Sequence, residues 1–63
     1  MGEKLRITRL IKRRTQYDLQ RATKIPQFRI SLIENNYAEP KESEKRKLAR
    51  ALGVTPEELF GSK

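Results

Sequence analysis

The stretch from Thr15 to Asn35 constrains this chain most, because it holds two helical patterns separated by too few residues for anything but a tight turn. Thr15 can accept from the open backbone N–H groups of a helix start. Asp18, three residues on, completes a capping-box-like pair and suits the positive end of the helix dipole. A first short helix is therefore predicted from about Gln16. Pro26 lacks a backbone donor and has a fixed φ, so it fits a first helical turn and biases Ile25 away from helical geometry. A second short helix follows from about Pro26 or Gln27, and Thr23 to Ile25 must reverse the chain between them.

The flanking segments read as further helices. In Lys4 to Lys12, Ile7, Leu10 and Ile11 fall at i, i+3, i+4 and form an apolar stripe with Leu5 at its edge, while Arg6, Arg9 and Lys12 take the other faces. Arg14 lies at i+7 from Ile7, on the same stripe, and is expected to carry its guanidinium out to water along an apolar stem. In the Thr15 helix, Leu19 with Ala22 or Thr23 should face inward and Tyr17 should stand partly exposed. In the next helix Ile30 and Ile33 point to the core, and Gln27, Phe28, Ser31 and Leu32 share the opposite side. A fourth helix is expected from about Glu42 to Leu52, with Glu42 paired to Lys45 or Arg46 and Gly53 as its left-handed stop. Thr55-Pro56-Glu57-Glu58 gives an N-cap, a proline at the first helical position and a glutamate at the third, opening a fifth helix whose Leu59 and Phe60 close the core. Gly61 to Lys63 reads as a frayed end.

Composition narrows the function. Sixty-three residues make one small domain, residues 1–63, which buries only about 60% of its extended-chain surface. With no Cys and no His the chain lacks disulfides, thiolate metal sites, the usual catalytic base and the commonest metal ligand. No catalytic residues, metal, cofactor or small-molecule ligand are expected. Without an apolar run of about 20 residues or a secretory h-region, the expectation is a soluble intracellular protein. Residues 1 to 30 carry nine Lys/Arg against Glu3 and Asp18, and residues 31 to 63 carry six of each sign, so the whole +7 excess lies on and around the two-helix unit. Such a basic surface suits a polyanion, with nucleic acid the usual one. A merely solvated face and an anionic membrane surface are the alternatives.

The order Leu5-Arg6…Arg9, Thr15-Gln16…Leu19, Ile25…Ile30-Ser31…Ile33-Glu34-Asn35, Pro40, then Leu48-Ala49…Ala51-Leu52-Gly53-Val54…Glu58-Leu59-Phe60 resembles the lambda-repressor-like, Cro-type helix-turn-helix family. The likeness runs from Leu5 to Phe60, and it rests on the joint register of short blocks, none of which is specific alone. It implies an all-α, compact five-helix domain with its helix-turn-helix at about residues 16–34. Five positions depart from the family pattern, one of them Arg14, where a leucine is common. Arg13, Lys24 and Asn36 stand where glycines are common, and Gln20 stands where a small alanine usually lets the motif helices approach. A non-glycine at a left-handed turn position costs on the order of 1 kcal/mol, least for Asn.

The resemblance also implies a function: sequence-specific binding of double-stranded DNA with the helix at about 26–34 in the major groove, as a transcriptional regulator and a repressor. A cytoplasmic protein of bacterial, phage or plasmid origin, a palindromic operator and a homodimer would follow. The matching base-reading positions are Gln27, Phe28 and Leu32, with Arg29 and Ser31 beside them. Gln27 can pair with adenine N6 and N7, Arg29 can reach guanine or a phosphate, and Phe28 and Leu32 can touch thymine methyls. Phosphate contacts are expected from Gln16, at a helix N-terminus, and from Arg13, Arg14, Lys24, Asn35 and Lys41. A protein-interaction module that grips its partner through Phe28 and Leu32 is the rival reading.

Overall fold

A computed structural model describes residues 2–61, so beyond Gly61 the frayed end lies outside the described residues. The elements are α1 (Gly2–Ile11), α2 (Gln16–Thr23), α3 (Gln27–Glu34), α4 (Glu42–Leu52) and α5 (Pro56–Phe60), with no strand among the described residues. The body measures 28 × 22 × 19 Å. α2 packs on α3 and α4, α4 on α5, and α1 closes the bundle against α3 and α5.

The local signals at the helix ends match the structure. The Thr15 hydroxyl accepts from the Asp18 N–H at 3.0 Å, and the Asp18 carboxylate accepts from the Thr15 N–H at 2.9 Å, the reciprocal pair expected at the start of α2. Thr55 caps α5 through the Glu58 N–H, with Pro56 opening the helix. The three turn positions without glycine are Arg13, Lys24 and Asn36, and all take left-handed backbone, φ 59, 68 and 65. Gly53 ends α4 at φ 72.

Every element contributes to the core, which consists of Leu5, Leu19, Ile25, Ile30, Ile33, Leu48, Ala49, Leu52 and Leu59, with Ala38, Ala51, Val54 and Phe60 packed at its margin. In α2 the inward partner of Leu19 is Thr23 rather than Ala22. The Thr23 hydroxyl donates to the Leu19 carbonyl at 2.6 Å and accepts from the Ile25 N–H at 3.2 Å, so it is buried with its hydrogen bonds met.

α1 overturns one expectation. Its stripe faces outward, with Ile7 and Leu10 each 54% exposed and Ile11 74%, while Leu5 is fully buried. Two contacts fix this rotation. A Cβ on Gly2 would fall on the Ile33 carbonyl oxygen and lie 2.6 Å from the Glu34 carbonyl oxygen, so only glycine lets α1 lie this close to the end of α3. One helical face further along, Arg9 points the same way and pairs with Glu34. Gly2, Leu5 and Arg9 share the inward face, and at about 100° per residue this leaves Ile7, Leu10 and Ile11 on the opposite side. Arg14 is exposed beyond the helix end, so its side chain has no apolar interior to escape. The Asn36 side chain closes the same seam, accepting from the Gly2 N–H at 2.8 Å and donating to Glu3 at 3.1 Å.

Candidate nucleic-acid interface

α3 has no side-chain cap of its own, because the residue before it is Pro26. The cap comes from α2: Gln20 Oε1 accepts from the Gln27 N–H at 2.6 Å. Gln20 thus meets one of the open donors of a helix start, a role that the comparison with alanine at this position conceals. Its length lets it span the gap between the two motif helices that a small residue would close.

The first turns of α2 and α3 are joined by side chains. Gln27 Nε2 donates to Gln16 Oε1 at 3.4 Å, and Gln16 Nε2 donates to Glu34 Oε1 at 3.0 Å. Glu34 is buried and accepts from Arg9 Nε at 2.7 Å and Nη2 at 3.1 Å, a two-pronged guanidinium–carboxylate pair with side chains 11% and 2% exposed. Arg9 Nη1 also donates to the Arg14 carbonyl at 2.9 Å. A relay therefore runs Arg9–Glu34–Gln16–Gln27, from the back of α1 to the tip of α3, and holds the Gln27 amide over the α2 start. Arg9, Glu34 and Gln20 were not legible as site residues. The signal available was Glu34 itself, an acid at the C-terminal end of a helix, where the dipole disfavours negative charge.

Beyond Gln27, the outward face of α3 presents Phe28, 68% exposed, and Leu32, 37% exposed, with Ser31 half-buried between them. Of the positions expected to read bases, Gln27, Phe28, Ser31 and Leu32 are thus brought to one surface. Arg29 is placed differently. Its Nε and Nη2 donate to Glu44 at 3.2 and 3.0 Å, and Nη2 also donates to the Glu39 carbonyl at 3.0 Å. The neighbouring Arg29 guanidinium, with help from the Lys41 N–H, lowers the Glu44 pKa from its ordinary value, and Glu44 in turn raises that of Arg29. Arg29 ties α3 to the start of α4, and reaching a base would break that pair.

Of the expected phosphate contacts, Arg13, Arg14, Lys24, Asn35 and Lys41 are exposed, whereas Gln16 is half-buried with its amide already used at both ends. The Asn35 amide nitrogen donates to the Ser31 carbonyl at 2.9 Å and closes α3 locally. The Lys41 N–H donates to Glu44 at 2.8 Å, and the residue is exposed at the start of α4. The Asp18 carboxyl is held below its ordinary range, first by the Thr15 N–H, so the α2 cap stays ionised at neutral pH. Among the described residues no group of three or more carboxylates could hold a metal ion, and no helix is long and apolar enough to cross a membrane.

A short helix turned outward, capped and braced by the helix before it and flanked by exposed basic side chains, defines the helix-turn-helix class. The family model described as helix-turn-helix matches residues 5–59, and the chain belongs to this family, in its lambda-repressor-like, Cro-like form. Membership makes the fold that of a DNA-binding transcription regulator, with double-stranded DNA as the implied partner. No curated protein and no solved structure matches the chain.

Proposed function

We propose that this protein, acting as one domain, binds a specific double-stranded DNA sequence with α3 in the major groove and regulates transcription from that site as a repressor. The observation that carries the reading is the shared outward surface of Gln27, Phe28, Ser31 and Leu32, with the Gln27 amide supported from behind by Gln16 and Glu34. The Gln27 amide on this surface has the donor and acceptor to pair with adenine N7 and N6. Phe28 and Leu32 offer apolar contact to thymine methyls, so an A·T-rich half-site is expected. Arg13, Arg14, Lys24 and Lys41 contact phosphates and supply most of the affinity by counterion release, with Asn35 and Gln16 at the margins of that contact. Arg29 serves the readout indirectly, by fixing the angle between α3 and α4. Two copies on a palindrome would place their half-sites about one helical turn apart.

The test is selection from a random duplex library, followed by salt titration on the winning sequence. Enrichment of one short A·T-containing motif, with affinity falling steeply as salt rises, is the expected result. Enrichment of nothing, with binding still salt-dependent, would reduce the protein to a non-specific DNA binder. No binding even at low salt would transfer Phe28 and Leu32 to a protein partner.

A further inference from the structure

The sequence divides its charge into a basic first half and a balanced second half, but the fold does not keep that division. Three of the six carboxylates of the second half are taken up by other cations. Glu34 takes Arg9, Glu44 takes Arg29 and Glu42 takes Lys45. This leaves Arg46, Lys47 and Arg50 exposed on the outer face of α4, and the fold sets them beside Arg21 and Lys24 at the end of α2. No side chain among these five forms an ion pair or hydrogen bond with another described residue.

The juxtaposition is built from three shallow depressions that share walls. Lys24, Lys47 and Arg50 line one together with Ala22, Thr23 and Ala51. Arg46, Lys47 and Arg50 continue along α4 with Ser43. Arg21 and Lys24 continue the other way with Gln20 and Pro26, which lead directly into the start of α3. The result is a cationic track that leaves the recognition helix at its N-terminal end and turns the corner of the molecule onto α4.

We propose that this track is a second phosphate-binding surface, which holds the flanking DNA of the same duplex that α3 reads, after that duplex bends toward the domain. The inference rests on the DNA-binding reading above and extends it. α3 is about 12 Å long, so a straight duplex seated on it lies along one face only, whereas α4 packs mainly on α2 and α5. A duplex bent toward the domain brings its backbone past Lys24 to Lys47, Arg50 and Arg46. Bending is offset by the added phosphate contacts, and it would make the flanks prefer easily deformed steps at positions no side chain reads. The same duplex is favoured over a second one by continuity, since Lys24 and Pro26 border both the track and the start of α3.

Two duplexes carrying the selected site test this, one just covering the site and one extended by about one helical turn on each side. The triple variant Arg46→Gln, Lys47→Gln, Arg50→Gln is compared with a charge-matched control, Lys4→Gln, Arg6→Gln, Lys12→Gln, taken from exposed positions of α1 and the turn after it. The native protein should bind the longer duplex about tenfold more tightly at moderate salt. The α4 variant should lose that advantage, and its salt slope on the longer duplex should fall by up to about 3, at roughly 0.9 per phosphate contact. Its binding to the short duplex should be unchanged, and the control should keep the length preference. Equal loss on both duplexes in both variants would mean that net charge alone is felt, and no loss in either would leave the track a solvated face; each result overturns the inference while DNA binding stands. A complex of one protein with two short duplexes, sensitive to the α4 variant, would replace the bent flank by a second duplex. Failure of the native protein to bind either duplex would remove the DNA-binding reading, and this inference with it.

Discussion

Glu34 is nearly buried yet carries three side-chain hydrogen bonds, two from Arg9 and one from Gln16. Removing one member of a buried ion pair leaves the other charge without compensation, at about 3–5 kcal/mol. A domain of this size holds only a few kcal/mol in all. Glu34→Ala or Arg9→Ala should therefore leave much of the protein unfolded at 25 °C in urea titrations. The joint replacement Arg9→Met with Glu34→Leu should recover most of the loss, since no unpaired charge remains. Gln27 sits at the other end of that relay, and its effect should appear in recognition instead. Gln27→Ala should weaken binding to the selected sequence by about 1–3 kcal/mol and leave random duplex almost unaffected. An equal loss on both, in competition titrations, would make it a phosphate contact.

At the scale of elements, α1 and α3 show how a helix takes its orientation from its neighbours. The hydrophobic stripe of α1 points to water because Gly2 and Arg9 both demand the face against the end of α3. Leu5→Ala should cost about 2–5 kcal/mol. Ile11→Lys, although it strikes the more regular apolar pattern, should change stability by no more than about 0.5 kcal/mol. Thermal or chemical denaturation of the two variants decides between this packing and the orientation read from periodicity alone. α3 depends on α2 for its cap, so Gln20→Ala should cost about 1 kcal/mol through loss of the bond to the Gln27 N–H. That loss should also appear as faster amide exchange confined to the first turn of α3.

For the whole molecule, charge sets both the response to pH and the approach to DNA. Asp18 and Glu44 have folded-state pKa values below their ordinary ones, the first through the Thr15 N–H and the second through Arg29. Each contributes stability that is fully present above the unfolded-state value, about 4, and is lost as pH falls through the lowered folded-state value. With no histidine and no cysteine in the chain, no side chain has an ordinary pKa near neutrality. Unfolding followed across pH should be flat from about 5.5 to 7 and should weaken on the acid side only below about 4. A transition near pH 6.5 would contradict this assignment.

The sequence by itself determined the elements and the side-chain caps of α2 and α5, and the family resemblance added the turn positions at Arg13, Lys24 and Asn36. The caps depend on residues within a few positions of one another, as Thr15 with Asp18 and Thr55 with Glu58 show. It also marked the outward side of α3, because Ile30 and Ile33 leave Gln27, Phe28 and Leu32 on the opposite side. Only the tertiary structure decided which way α1 turns, that Arg29 braces α4, that Gln20 caps α3, and that Arg46, Lys47 and Arg50 join Arg21 and Lys24. Each of these joins side chains distant in the chain, and local periodicity carries no information about which distant partner a long polar side chain will meet.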